Sequence, residues 1–144
     1  FKHREDYGKI QILYGSRSAA DLCFKAELFD LWPQIKDTEV FTTIDNAEEG
    51  WDGHVGFVPS YLEEINPDPA GKIAVTCGPP IMIKFVIKAL EKMGYSDEQV
   101  ITTLEMRMKC GIGKCGRCNI GSEFICLDGP VFNLAQLKKL PPEW

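Results

Sequence analysis

Apolar and polar residues follow two different periods along the chain, and the stretches of each kind alternate. Runs rich in β-branched and aromatic residues, which predict strands, lie at residues 9–14, 39–44, 72–76 and 100–106. Runs with helical spacing lie at residues 21–31, 57–65 and 81–93, and a loop is expected from residue 45 to 56. Two short strands, at 124–127 and 131–132, and a short helix at 134–140 are expected after them.

Strands that alternate with helices predict an α/β fold with a doubly wound, mostly parallel sheet. This pattern extends to residue 108 and then breaks into a stretch rich in glycine and cysteine. We therefore expect two domains, an α/β domain over residues 1–108 and a small Cys-rich lobe over residues 109–144.

Composition narrows the function. The 144 residues carry a net charge of −5 and contain no basic run with interleaved aromatics, which argues against a nucleic-acid partner. No apolar stretch reaches the roughly 18 residues that a membrane span needs. Four of the six cysteines are clustered like metal ligands, which indicates a reducing compartment and predicts a cytoplasmic protein.

The clustered cysteines have the spacing C-x4-C-x2-C-x7-C and are Cys110, Cys115, Cys118 and Cys126. The first three follow the plant-type ferredoxin spacing, so the four thiolates are predicted to bind a [2Fe–2S] cluster. Glycines at 111, 113 and 116 would let backbone N–H groups approach the sulfurs.

Two other uses of these cysteines are open. A structural zinc site is usually built from two C-x2-C pairs, whereas only Cys115 and Cys118 form one here. Disulfides fit a reducing compartment least well.

Three turns follow predicted strands, where ligands bind in doubly wound sheets. Gly15-Ser16-Arg17 offers a hydroxyl and a guanidinium for a phosphate or ribose. Asp45 could accept hydrogen bonds from a ribose diol, and Cys77-Gly78-Pro79 forms a rigid turn against which a nicotinamide could stack. The alternatives are a helix cap, an Asx turn and a buried small hydrophobe, respectively.

The glycine-rich phosphate loop expected after the first strand is absent. The first βα unit is therefore interpreted as incomplete. Residue 1 is Phe rather than Met, and we expect additional chain upstream.

Several motifs together resemble the C-terminal part of the ferredoxin–NADP reductase superfamily. They are Tyr14-Gly-Ser-Arg17, Val75-Thr-Cys-Gly-Pro-Pro80 and the strand leading into the cysteines. The segment 104–118, followed by Ile125-Cys-Leu-Asp-Gly-Pro-Val-Phe132, resembles the tail of two groups. One is the γ subunits of sulfhydrogenases and nickel–iron hydrogenases, with the related subunit of anaerobic sulfite reductase. The other is the electron-transfer subunit of dihydroorotate dehydrogenase.

The resemblance implies that residues 1–108 are an NAD(P)-binding domain and residues 109–144 a [2Fe–2S] lobe. It implies that NAD(P)H lies over Cys77, the one catalytic position it assigns, and passes hydride to FAD. The flavin would then give single electrons to the cluster for a partner subunit, without a protein acid or base in the hydride step. FAD is expected mainly on an N-terminal barrel that this sequence lacks, so the chain alone is expected to be inactive.

The interpretations of this resemblance differ in the protein that exchanges electrons with the cluster. The leading one is a hydrogenase or a sulfur or sulfite reductase, and the alternative is dihydroorotate dehydrogenase. A second alternative is a non-catalytic zinc-binding interaction module. Asp45 favours NADH, while Arg17 could instead hold the 2′-phosphate of NADPH.

Overall fold

The computed structural model describes residues 3–141. The chain divides into two compact units, residues 1–65 and 66–144, and each is described here by itself. This division differs from the expected domains 1–108 and 109–144, whose boundary stays a prediction. Residues 1–2 and 142–144, which fall in those domains, lie outside the described range.

The first unit is built on a three-stranded parallel sheet in the order β1-β2-β3. Its strands are β1 (Ile10–Ser16), β2 (Thr38–Ile44) and β3 (His54–Val55). Helix α1 (Val58–Ile65) contacts β1. The core consists of Leu22, Leu28 and Ile44, and the partly buried residues packed against it are Tyr14, Trp32, Val40 and Trp51.

The second unit contains a three-stranded sheet in the order β4-β5-β8 and a two-stranded hairpin, β6-β7. Strands β4 (Ala74–Thr76) and β5 (Val100–Thr103) are parallel, and β8 (Val131–Asn133) is antiparallel to β5. The hairpin and the remaining helices are β6 (Asn119–Ile120), β7 (Glu123–Phe124), α2 (Pro80–Lys92), α3 (Ile125–Asp128) and α4 (Leu134–Leu137).

Helix α2 supplies much of the second core. It begins at Pro80, where a missing N–H costs nothing, and it ends just before Gly94, whose φ is +91°. Its buried face is Ile83, Val86, Ile87, Ala89 and Leu90.

Most predicted elements are confirmed within a few residues, but three expectations were wrong. The helix expected from residue 21 becomes helical only at residue 25, because Phe24 adopts a left-handed φ of +56°. The strand expected at 124–127 stops at Phe124. The Asp128 carboxylate accepts the Phe124 N–H at 2.6 Å and closes a helical turn, α3. The loop expected from residue 45 to 56 contains strand β3.

None of the helices found between residues 3 and 141 combines the length and the apolarity that crossing a membrane requires.

Gly15 marks the closest approach of α1 to the sheet. A Cβ on Gly15 would overlap the Cγ2 methyl of Val58 and lie 3.3 Å from Thr43 Cγ2. Both neighbours are β-branched and stiff, so neither can rotate away freely.

We therefore expect Gly15→Ala to lower the free energy of unfolding by about 1–3 kcal/mol through overpacking. Gly8→Ala is the matched control, because a Cβ there meets nothing within 4 Å. Its effect should stay within about 0.5 kcal/mol. Urea unfolding followed by circular dichroism measures both, and equal losses in the two variants would contradict the close approach.

Candidate cofactor sites

The carboxyl ends of β1 and β2 bring four of the predicted nucleotide residues together. Ser16 is paired with Ile44 in the parallel ladder, and the next backbone N–H, that of Asp45, donates to Ser16 O at 3.1 Å. Gly15, Ser16, Arg17 and Asp45 therefore lie at one edge of the first sheet.

The side chains at this edge differ in availability. The Ser16 hydroxyl donates to Ser18 O at 2.5 Å, so it is engaged within its own turn. Arg17 is exposed and forms no ion pair with the described residues, and Asp45 is half-buried. A carboxylate and a guanidinium thus remain available to a ligand at this edge.

The other three predicted residues, Cys77, Gly78 and Pro79, lie in the second unit directly after β4. The Cys77 thiol is exposed and accepts a hydrogen bond from the Thr103 hydroxyl at 3.2 Å. Gly78 has a φ of +153°, and a Cβ there would lie 2.5 Å from Met82 Cε. The Met82 side chain therefore packs against the turn at Gly78, and Thr103 holds the Cys77 thiol by a hydrogen bond.

Thr103 was not predicted as a site residue, although its position in a predicted strand could have indicated it. Thr103 is the last residue of β5, which lies parallel to β4. The residue before it, Thr102, pairs with Thr76, which directly precedes Cys77. Residues that end neighbouring parallel strands reach the same edge, so a hydroxyl at that register was a candidate partner for the thiol.

The side chains of the four clustered cysteines affect one another. Cys115 lies close enough to Cys110, and Cys118 and Cys110 close enough to Cys126, to shift the pKa of these thiols. Between residues 3 and 141, no three His, Cys, Asp or Glu side chains converge on a position for a single metal ion.

Backbone N–H groups point at the sulfurs, as the glycines predicted. Gly113 N donates to Cys126 Sγ at 3.2 Å, and the amides of Lys114 and Cys115 donate to Cys110 Sγ at 3.3 and 3.4 Å. Glycines 111, 113 and 116 have φ values of +69°, +66° and +68°, a region that favours glycine.

These donors change the acidity of the thiols. The N–H groups of Ile112, Cys115 and Lys114 lower the pKa of Cys110 to about 6, because they stabilise the thiolate. The N–H of Gly113 acts on Cys126 in the same direction. Burial and the neighbouring thiols of Cys118 and Cys110 outweigh it, so the pKa of Cys126 is raised. The loop therefore stabilises negative sulfur at Cys110 in particular.

His54, for which the sequence suggested no partner, is the centre of a polar contact in the first unit. Its ring stacks on Tyr61 with centroids 3.7 Å apart, and its nitrogens lie 2.9 Å from Thr43 Oγ1 and 3.2 Å from Glu64 Oε2. These contacts join strand β3 to helix α1 and to β2.

A parallel sheet with polar groups at its carboxyl edge, followed by a four-cysteine loop, defines the class of nucleotide-linked redox proteins. Comparison with known families agrees. Residues 1–88 match the oxidoreductase NAD-binding domain, and residues 105–138 match the iron–sulfur cluster binding domain of dihydroorotate dehydrogenase B. The chain belongs to the oxidoreductase NAD-binding domain family.

Individual relatives carry both parts. The chain is 37% identical to the sulfhydrogenase 1 subunit gamma of Pyrococcus furiosus over 96% of its length and 49% of the relative. It is 34% identical to a probable dihydroorotate dehydrogenase B (NAD(+)) electron transfer subunit of Thermococcus kodakarensis, covering 91% of this chain and 49% of the relative. The chain thus spans about half the length of these curated relatives.

Solved structures show the same fold. The cytochrome b5 reductase domain of Ulva prolifera nitrate reductase superposes with a TM-score of 0.57 at 33% identity, covering 65% of this chain and 37% of that one. An NADH-dependent reduced ferredoxin-NADP oxidoreductase gives a TM-score of 0.65 at 24% identity, over 94% of this chain and 48% of the other. The expected likeness to ferredoxin reductases is confirmed. The doubly wound arrangement of the sheets stays a prediction.

Gly113 is the most constrained residue of the cysteine loop. A Cβ there would overlap Leu127 Cδ1, whereas a Cβ on Gly111, at nearly the same φ, meets nothing within 4 Å. Gly113→Ala should therefore displace the N–H that faces Cys126, while Gly111→Ala adds only backbone strain.

We expect Gly113→Ala to retain less than about half of the wild-type iron and acid-labile sulfide, and Gly111→Ala to retain most of it. Iron and sulfide analysis of anaerobically purified protein measures both. Equal retention would show that Leu127 does not restrict the loop.

Proposed function

We propose that this chain carries the nucleotide- and cluster-binding parts of a flavin-dependent electron-transfer subunit. In this proposal, electrons pass between NAD(P)H, FAD and a [2Fe–2S] cluster to a hydrogenase or to a sulfur or sulfite reductase in the cytoplasm. The observation that carries the proposal is that backbone N–H groups of the cysteine loop donate to the sulfurs of Cys110 and Cys126.

The donor set fits a [2Fe–2S] cluster, in which each of two irons takes two protein ligands. Cys110 and Cys115 would bind one iron, and Cys118 and Cys126 the other. Three amide N–H groups lie within hydrogen-bonding distance of Cys110 and Cys126, where they would stabilise an anionic centre. Cys118 is 2% exposed, so its side of the site is shielded from water.

Each unit carries residues of a kind that binds part of a pyridine nucleotide. In the first unit, Asp45 would accept hydrogen bonds from a ribose diol, and Gly15, Ser16 and Arg17 would bound the same edge of the sheet. In the second unit, Cys77, Gly78 and Pro79 would form a surface for a nicotinamide, with the thiol held by Thr103. When bound, the nicotinamide supplies hydride, a flavin separates its two electrons, and the cluster carries them singly.

The alternative partner is dihydroorotate dehydrogenase. It is favoured by the match of residues 105–138 to the cluster domain of that enzyme and by the Thermococcus kodakarensis relative. The sulfhydrogenase 1 subunit gamma of Pyrococcus furiosus matches over more of the chain and at higher identity than that relative, so we place the hydrogenase type first. Reduction of the reconstituted complex by dihydroorotate would reverse this order.

The cluster is tested by metal and sulfide analysis of anaerobically purified protein, with low-temperature EPR after dithionite reduction. We expect about two irons and two sulfides per chain and a rhombic S = 1/2 signal. Cys118→Ser should lose the signal without unfolding the chain. Cys23→Ser, which removes an exposed cysteine outside the four, should keep it.

One zinc and no labile sulfide, persisting with ample iron during expression, would contradict the redox proposal. The cysteines would then form a structural clip, and the zinc-binding interaction module would replace the proposal. An intact cluster in Cys118→Ser would remove only Cys118 from the ligand set.

The preference for NADH over NADPH is tested at Asp45. Replacing this carboxylate removes its repulsion of a 2′-phosphate, so Asp45→Ser should raise the affinity for NADPH relative to NADH by about tenfold, or about 1.4 kcal/mol. Asp52→Ser, an exposed aspartate of the following loop, is the control. Titration calorimetry with both nucleotides gives the ratio, and an unchanged ratio in Asp45→Ser would end this role for Asp45.

A further inference from the structure

The loop that carries the cysteines is basic, although the whole chain is acidic. The chain has a net charge of −5, yet Lys109, Lys114 and Arg117 stand between or beside the cysteines. All three are exposed and form no ion pair with a residue in the described range 3–141. We call these three residues the basic rim.

Two large apolar side chains are exposed at the same place. Ile112 is 66% exposed and Leu127 is 60% exposed. Ile112 directly precedes Gly113, and Leu127 directly follows Cys126. The Gly113 N–H bonds to Cys126 Sγ, and the Leu127 side chain lies where a Cβ on Gly113 would be. We call Ile112 and Leu127 the apolar pair.

The rim is not needed to hold sulfur in this structure. Cys110 and Cys126 receive hydrogen bonds from backbone N–H groups, and Lys114 contributes its amide rather than its ammonium. The charged side chains are therefore left for a ligand outside the chain.

We propose that the apolar pair and the basic rim form the docking surface for an electron-exchanging protein with an acidic surface. The proposal rests on the proposed function, because the docked protein would exchange electrons with the cluster held by the adjacent cysteines. An apolar centre bordered by charge is the usual composition of a protein interface, and opposite charges would steer the partner to it.

Other anionic partners fit less well. Segment 105–118 contains no aromatic residue on which a nucleic acid base could stack. An anionic lipid surface would match the charge but could not accept an electron. Cys115, a predicted cluster ligand, is exposed within the rim, so a protein seated there would lie next to the electron source.

The test uses the whole chain with its cluster and, as a probe, the acidic soluble haem domain of cytochrome b5. Titration calorimetry with both proteins oxidised gives the Kd without electron transfer. After dithionite reduction and gel filtration, stopped-flow absorbance follows one electron as it leaves the reduced cluster and converts ferric haem to ferrous haem, with no bond or proton exchanged.

The rim variant is Lys109→Glu/Lys114→Glu/Arg117→Glu. Its control, Lys25→Glu/Lys36→Glu/Lys139→Glu, makes the same charge change at exposed lysines outside the cysteine loop. At about 0.02 M salt the rim variant should raise the Kd and lower the electron-transfer rate constant by about tenfold or more relative to the control. At about 0.5 M salt the two variants should converge, because screening removes the long-range attraction.

The apolar pair is tested with Ile112→Ser. Ile73→Ser is the control, because both isoleucines are 66% exposed and only Ile112 belongs to the cysteine loop. We expect about a fivefold rise in Kd for Ile112→Ser that does not depend on salt, and no change for Ile73→Ser.

The outcomes separate the two proposals. Iron, sulfide and EPR are measured first on every variant, and a wild-type chain without a cluster overturns both the proposed function and the docking surface. A loaded chain whose rim variant binds as tightly as its control overturns the docking surface alone. A rim variant that shifts only the cluster's reduction potential also overturns it, since the charges would then serve the cluster. Tighter, rim-dependent binding to phosphatidylserine vesicles than to the haem domain overturns it in favour of a lipid surface.

Discussion

The hydrogen bonds from backbone N–H groups to cysteine sulfur are the interaction on which the C-terminal region depends. Gly113 N reaches Cys126 Sγ at 3.2 Å although the two residues are separated by the β6-β7 hairpin. The approach requires a left-handed backbone at Gly113 and leaves no room for a side chain beneath Leu127. This arrangement holds Gly113 and Cys126 together across the hairpin, and the amides of Lys114 and Cys115 act in the same way on Cys110.

The first unit is organised by a different constraint, the parallel register of β1 and β2. Pairing of Ser16 with Ile44 places the turn after β1 beside Asp45, and the Asp45 N–H continues the ladder onto Ser16 O. Helix α1 can approach β1 closely because residue 15 is glycine. His54 then joins β3 to α1 through stacking on Tyr61 and its contact with Glu64, and to β2 through its contact with Thr43.

The side chains of the cysteine loop differ from its backbone in what they face. Its amides face inward to sulfur, whereas its lysines, its arginine and Ile112 face solvent. In the proposed function, the backbone of this loop would hold the redox centre and its side chains would meet another protein. The partner surface could then vary without disturbing the groups that would hold the cluster.

Local patterns predicted those elements that depend on local forces. Helix α2 was predictable from its starting proline, its terminal Gly94 and its apolar periodicity, and β2 from its β-branched run. The helix before Trp32 was predicted too long, because apolar spacing does not reveal that Phe24 takes a left-handed φ. Strand β7 was predicted too long, because the Asp128 side chain ends it by bonding to the Phe124 N–H.

The sequence by itself determined the kind of chemistry, since cysteine spacing and the glycines between the cysteines restrict which cofactor can be held. It also identified Asp45 and Cys77 as strand-end residues, because strand ends can be read from the change in pattern. Only the tertiary structure decided which backbone N–H groups face the sulfurs of Cys110 and Cys126, that Thr103 donates to Cys77, and what His54 contacts. The contact of His54 with Thr43 joins residues 11 positions apart, and that of Thr103 with Cys77 joins residues 26 positions apart. Both depend on strand register and loop closure, which a short segment of sequence does not reveal.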